Sequence, residues 1–69
     1  MDVRSEIAGS VWKIEVAVGD AVAADDVLLI LESMKMEVPV SAPRAGLIRF
    51  IAVAEGASVK EDDVLVVLD

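Results

Sequence analysis

Lys35 is the candidate for chemistry in this chain, and it lies within ESMKME at residues 32–37. The 69 residues contain no His, Cys, Tyr, Thr, Asn or Gln. The usual general base is therefore missing, and so are the common nucleophiles other than Ser and Lys. No Ser-His-Asp arrangement, metal-ligand cluster or glycine loop for phosphate can be built from what remains. The composition predicts a chain that is not an enzyme by itself.

The sequence repeats itself on either side of Lys35. Shifted by 37 positions, residues 8–32 fall on 45–69, and twelve of those 25 positions are identical. Two copies are too few to stack as a solenoid. They can instead face each other about a pseudo-twofold axis, so that each half covers the apolar face of the other.

Extending the same offset defines the expected domain organisation. Residues 1–32 map onto 38–69, and only 33–37 stand outside the repeat. We therefore expect one domain over residues 1–69, with 33–37 as the connection between its halves. A chain this small, without Cys or His for disulfides or zinc, must depend on an aliphatic core.

Short apolar segments separated by turn residues make up each half. No apolar run exceeds five residues, whereas a helix needs at least about 10–12. Turn signals such as Gly19-Asp20 and Glu55-Gly56 recur at the spacing typical of a β-sandwich or barrel. Alternation is imperfect near Trp12, because Val11 lies on the other parity. An all-β fold is predicted.

A hairpin is predicted at the join between the halves. Residues 27–34 and 36–42 both favour extended structure, and one continuous strand would exceed the usual 3–10 residues. The tip then falls near Met34-Lys35. Tight hairpin turns prefer Asn-Gly, Asp-Gly or other Gly pairs, and this tip has none of them. Such a departure from local preference is typical of a functional site.

Each residue of the tip also has an ordinary explanation. A single lysine is normally a solvated surface residue, and Met at alternating spacing normally fills a core. Glu32 and Glu37 could simply keep the hairpin soluble. What points to a function is their combination around Lys35, midway through a duplicated β domain.

ESMKM at residues 32–36 resembles the acceptor motif of biotin carboxyl carrier domains, which belong to the biotinyl/lipoyl attachment family. APRAG at 42–46 resembles a segment that the family carries after its acceptor hairpin. The resemblance covers the whole chain and is closest to the small free-standing biotin/lipoyl attachment proteins. It implies a flattened barrel or sandwich of two four-stranded antiparallel sheets with internal pseudo-twofold symmetry, and an exposed hairpin that carries the lysine.

The same resemblance implies a biotin carboxyl carrier. A biotin protein ligase would attach biotin covalently to Lys35, and the arm would shuttle carboxyl groups between biotin carboxylase and carboxyltransferase active sites. Met34 and Met36 would pack beside the arm and fix the acceptor geometry. Glu32 matches a family position associated with ligase recognition.

Two other functions remain open from the sequence. Lipoyl domains are similar in fold, so the chain could be a lipoyl carrier in an acyl- or aminomethyl-transfer complex, or could accept both biotin and lipoate. In lipoyl domains the acceptor lysine is usually preceded by Asp and followed by Ala, whereas Met34 and Met36 flank Lys35 here. The third possibility is a structural module like those of efflux adaptor proteins, which usually carry a long helical insertion between the halves.

Charge and hydropathy restrict the partners. A net charge of −7 argues against nucleic acid and anionic membranes, where Lys and Arg supply the affinity. Residues 1–4 lack the basic start of a signal peptide. We expect a cytoplasmic protein, monomeric alone, whose partners are other proteins.

Overall fold

Eight short strands form two four-stranded antiparallel sheets in the computed structural model, which describes residues 1–69. The strands are β1 (Asp2–Arg4), β2 (Gly9–Ile14), β3 (Ala21–Val22), β4 (Val27–Ser33), β5 (Met36–Ser41), β6 (Gly46–Ile51), β7 (Ser58–Val59) and β8 (Val64–Leu68). We call β5-β4-β2-β7 the hairpin sheet and β1-β8-β6-β3 the terminal sheet. The predicted all-β fold with two four-stranded antiparallel sheets is confirmed. The structure has no helix able to cross a membrane.

The pseudo-twofold symmetry exchanges the two sheets. A shift of 37 residues takes β2 onto β6 and β3 onto β7 with identical bounds. The same shift converts the strand order of the hairpin sheet into that of the terminal sheet. Loop hydrogen bonds also repeat: the Asp25 N–H donates to the carbonyl of Ala42, and the Asp62 N–H donates to the carbonyl of Ser5. The duplication therefore extends from the sequence to the backbone pairing.

One β-bulge occurs twice, at positions 37 residues apart. The pairing of β2 with β4 skips Trp12, and the pairing of β6 with β8 skips Arg49. A bulge places two residues opposite one, so the strict alternation of sides is interrupted. Val11 and Ile14 therefore both contact the core, whereas Trp12 and Lys13 are exposed. This bulge is the reason for the imperfect alternation in the sequence.

The core between the sheets is aliphatic, as the composition predicts. Twelve of the 13 buried residues form six pairs related by the 37-residue shift. These are Ser5/Ala42, Val11/Ile48, Val22/Val59, Leu28/Leu65, Leu29/Val66 and Leu31/Leu68. No buried side-chain nitrogen or oxygen lacks a hydrogen-bond partner. Each half thus supplies an equivalent share of the apolar surface that holds the hairpin in place.

Asp26 and Asp63 close the two acidic turns in the same way. The carboxylate of Asp26 accepts a hydrogen bond from the Ala23 N–H at 2.9 Å, and that of Asp63 accepts one from the Lys60 N–H at 2.8 Å. We expect Asp26→Ala and Asp63→Ala each to lower the free energy of unfolding by about 1 kcal/mol, because each loses one turn-closing hydrogen bond. Urea denaturation measures both losses. A loss in only one variant would show that the two turns are not energetically equivalent.

Candidate functional site

Strands β4 and β5 form a hairpin that ends in a two-residue turn. Their pairing continues to Ser33 opposite Met36, which leaves only Met34 and Lys35 in the loop. The φ angles of these two residues are 52° and 64°. Positive φ at both central residues is the property of a type I′ turn, whose twist matches that of the flanking strands. The hairpin predicted from the sequence is present, with Lys35 at its tip.

The turn at the tip is strained. The left-handed region costs a residue with a Cβ atom roughly 1–2 kcal/mol. Besides Met34 and Lys35, the non-glycine residues with positive φ are Asp25 and Asp62, and Asp tolerates this region better than most residues. Met34 and Lys35 have no such local advantage. The rest of the hairpin must hold them there, since strand pairing extends up to the turn.

Three consecutive side chains at the tip face solvent. Met34 is 92% exposed and Met36 is 67% exposed. Lys35 is also exposed and belongs to none of the three ion pairs in the structure. The methionines are therefore not core residues, and the Lys35 side chain is accessible from solvent.

Glu32 and Glu37 lie directly opposite each other beside the tip. Both are exposed, and neither belongs to an ion pair. Like charges directly opposite on one sheet face are destabilising. The flank of the hairpin therefore carries two negative charges that the chain itself does not compensate. The sequence motif predicts Glu32 as a site residue, and only the register identifies Glu37 as its partner.

Next to this acidic pair, the outer face of the hairpin sheet carries apolar side chains around Lys13. Pro39 on β5 lies opposite Ile30 on β4, and Ile30 lies opposite Lys13, which is adjacent to the bulged Trp12. Trp12 is 49% exposed. No pattern in the sequence predicts Trp12, Ile30 and Pro39 as surface neighbours of the hairpin. One signal for Trp12 was present in the sequence. The repeat places Arg49 at the equivalent position, so an aromatic residue is not common to both halves there.

A groove of about 300 Å³ lies between the edge strands β1 and β5, and Pro39 is among its lining residues. Its lining includes Val3 and Val40, which are related by the 37-residue shift, so the groove lies across the pseudo-twofold axis. Lys35 is not among its lining residues. No cluster of His, Cys, Asp and Glu in the structure could hold a metal ion. The hairpin tip, rather than a cavity, is the candidate site.

The strain at the tip can be tested with Met34→Asn. Asn is favoured at positive φ and is preferred at the first central position of type I′ turns. We expect the substitution to raise the free energy of unfolding by about 1 kcal/mol, because it removes part of the cost of a left-handed Met. Thermal or urea unfolding measures the change, and Met36→Asn, outside the turn, is the control. A Met34→Asn variant less stable than the parent would contradict a strained turn.

The family comparison agrees with this geometry. The family model described as "Biotin-requiring enzyme", Biotin_lipoyl, matches residues 2–68. The chain belongs to this biotin/lipoyl attachment family. It is therefore an attachment domain, which carries a cofactor rather than catalysing a reaction, and the resemblance found in the sequence is confirmed.

Two relatives of this attachment domain are small proteins. A "Biotinylated protein TB7.3 homolog" from Mycobacterium leprae is 53% identical over 47 residues, covering 68% of this chain and 66% of that protein. A "Biotin/lipoyl attachment protein" from Bacillus subtilis is 43% identical over 49 residues, covering 71% of this chain and 67% of that protein. The matched segment thus spans about two thirds of each relative's length.

The attachment domain also matches part of a much larger protein of known structure. Over 100% of this chain and 6% of the other, its fold agrees with the Kluyveromyces lactis urea carboxylase at a TM-score of 0.94 and 36% identity. The same fold therefore occurs both in small attachment proteins and within a carboxylase.

Proposed function

We propose that this attachment domain is a biotin carboxyl carrier and that Lys35 is its covalent attachment point for biotin. The observation that carries the proposal is the exposed, unpaired Lys35 side chain at the tip of a two-residue turn. Residues 1–69 act as one domain, in which the half-repeats 1–32 and 38–69 hold the acceptor hairpin 33–37 away from the body. No side chain must move before another enzyme can reach the amine.

Lys35 acts as a nucleophile during attachment. The Lys35 ammonium first releases one proton, and the resulting neutral ε-amine attacks the carboxyl group that a biotin protein ligase has activated with ATP. A C–N amide bond forms, the bond to the activating group breaks, and the amine gives up one proton. The lysine thereby loses its positive charge and becomes the base of a long arm.

The neighbouring residues prepare Lys35 for this reaction. Met34 and Met36 flank the lysine on both sides, and their flexible apolar side chains pack beside the arm and restrict its directions. Strand pairing up to Ser33 and Met36 leaves no slack, so the flanking strands keep the turn in one conformation despite the strain at Met34 and Lys35. Glu32 contributes a charge for ligase recognition.

Bound biotin would supply a group that carries a carboxyl between the active sites of biotin carboxylase and carboxyltransferase partners. The contribution of the protein is to hold that arm at a tip that fits into each site. Tethering keeps the reactant at an effective concentration of up to mM without diffusion into bulk solvent. The urea carboxylase match supports a carboxylase as the setting.

A lipoyl carrier, or an acceptor of both groups, is the second candidate. It is favoured by the similarity to a protein described as "Biotin/lipoyl attachment protein". Intact mass spectrometry of the protein purified from its own host distinguishes the two, because biotin and lipoate add different masses. We expect the biotin adduct alone, located on Lys35 by fragmentation. A lipoyl adduct in its place would overturn the proposal in favour of the second candidate.

A further inference from the structure

The two outer faces of the molecule share one backbone but differ in chemistry. Trp12 and Arg49 occupy the same bulge position, one on each sheet. Pro39 and Asp2 occupy the same edge position, 37 residues apart and in equivalent register. Both members of each pair are exposed. Since the fold accepts charged residues at these positions, it does not require the apolar ones that lie beside Lys35.

The two outer faces also differ in whether their carboxylates have an ion-pair partner. Asp69 is the repeat counterpart of Glu32, and it lies 4.0 Å from the guanidinium of Arg49. On the hairpin sheet the corresponding cation is absent, because Trp12 stands where Arg49 would be. Glu37 adds a second negative charge directly opposite Glu32. The cation that this face does carry, Lys13, pairs with Glu15 at 3.5 Å, so neither Glu32 nor Glu37 has an ion-pair partner within the chain.

We propose that Trp12, Ile30, Pro39, Glu32 and Glu37 form a docking face for the biotin protein ligase. The ligase surface that fits it has an apolar recess for Trp12 and an Arg or Lys opposite the two glutamates. Buried Trp and Arg anchors are the residue types that dominate binding energy at protein interfaces. A cation brought by the ligase also removes the repulsion within the glutamate pair.

The short reach of the unmodified Lys35 side chain favours the ligase, rather than a carboxylase, as the partner that contacts this face. Before modification, the reacting amine lies only one lysine side chain away from the hairpin, so the ligase must approach the flank closely. Pro39 is four residues from Lys35, about 13 Å along an extended strand, which places the docking face within the same contact area. After modification the arm is longer, and carboxylase sites can act from further away. This inference rests on the proposed function.

The test is the kinetics of biotin attachment to the purified unmodified protein by a biotin protein ligase, with ATP and labelled biotin. We expect Trp12→Ala to raise the KM for the carrier about tenfold with little change in kcat, because it removes an interface anchor but not the reacting amine. Phe50→Ala is the matched control, since Phe50 is 57% exposed beside the equivalent bulge. Its KM should stay within about twofold of the parent.

Glu37→Gln tests the charge without endangering the fold, because it removes half of a repulsive pair. We expect a raised KM that adding salt no longer changes as much as in the parent. Glu61→Gln, at an exposed glutamate outside any ion pair, should leave KM unchanged. Circular dichroism and thermal unfolding of all four variants show whether each is folded. If Trp12→Ala is unfolded, the KM of the Glu37→Gln variant decides whether the docking face is correct.

The outcomes separate this inference from the proposed function. A parent protein that accepts no biotin overturns the proposed function and, with it, the docking face. A parent that accepts biotin, with folded Trp12→Ala and Glu37→Gln variants at parental KM, overturns the docking face alone. The ligase docking face is also overturned if the variants are modified normally but slow carboxyl transfer. That result would assign the face to a carboxylase. A dimer that dissociates in Trp12→Ala would assign it to a second copy of this chain.

Discussion

Lys35→Arg should abolish biotin incorporation while leaving the fold intact. The guanidinium of Arg stays protonated in proteins and has no free electron pair to attack a carboxyl group. The side chain at this position is exposed and unpaired, so we expect the free energy of unfolding to change by less than about 0.5 kcal/mol. Labelled biotin with a ligase measures incorporation, and thermal unfolding measures the fold.

The other two lysines of the chain are natural controls for this prediction. Lys13 lies on β2 beside the bulge, and Lys60 lies in the turn before β8. Both are exposed, so Lys13→Arg and Lys60→Arg test whether accessibility alone is enough for modification. We expect both variants to incorporate biotin as the parent does. Labelling retained in Lys35→Arg would contradict the assignment of the attachment point.

Gly9→Val should be among the most destabilising single substitutions in the chain. A Cβ atom at Gly9 would lie 2.5 Å from the carbonyl oxygen of Glu32, which belongs to a strand paired on both sides. The equivalent Cβ at Gly46 would lie 2.9 Å from the carbonyl oxygen of Asp69, just beyond the end of β8. Both approaches are too close for any side chain, and each obstacle is a backbone atom rather than the end of a side chain.

We expect Gly9→Val to lower the free energy of unfolding by about 3 kcal/mol and Gly46→Val by less, as overpacking does. The difference follows from Asp69, which can shift more freely than Glu32. Gly9→Val should also slow biotin attachment in the remaining folded molecules, because moving β4 at Glu32 moves the hairpin. Urea denaturation and biotin kinetics measure the two effects. Ala8→Val, at the exposed neighbouring position, is the control.

A Gly9→Val variant with the parental urea midpoint would show that β2 and β4 can separate at this point. That result would also remove the explanation for why residues 9 and 46 are both glycine. If Gly46→Val were the more damaging of the two, Asp69 would be more firmly held than its place after β8 indicates.

Much of the fold follows from local features of the sequence. The offset of 37 predicts which elements are equivalent, and the structure repeats β2 and β3 as β6 and β7 with the same bounds. Short apolar runs between turn residues predict strands, because the length and spacing of apolar residues can be read from neighbouring positions in the chain. The hairpin tip at Met34-Lys35 follows from the length limit on strands.

The bulges and the surface around the hairpin could not be predicted in this way. Trp12 shares parity with Ile14 in the sequence, yet the bulge sends it to the outer face while Ile14 contacts the core. A bulge depends on how two distant strands align, and a shift of one residue moves side chains to the other face. Glu32 and Glu37 become an opposed pair only through the register of β4 with β5.

The sequence alone determined the all-β class, the duplication, the position of the join and the identity of its lysine, since each depends on residue types and spacing along the chain. Only the tertiary structure decided which residues surround that lysine. Trp12 lies 23 positions before Lys35, and it reaches the same face through pairing with β4. Contacts between segments so far apart come from hydrogen-bond register between strands, which no local pattern of residues specifies.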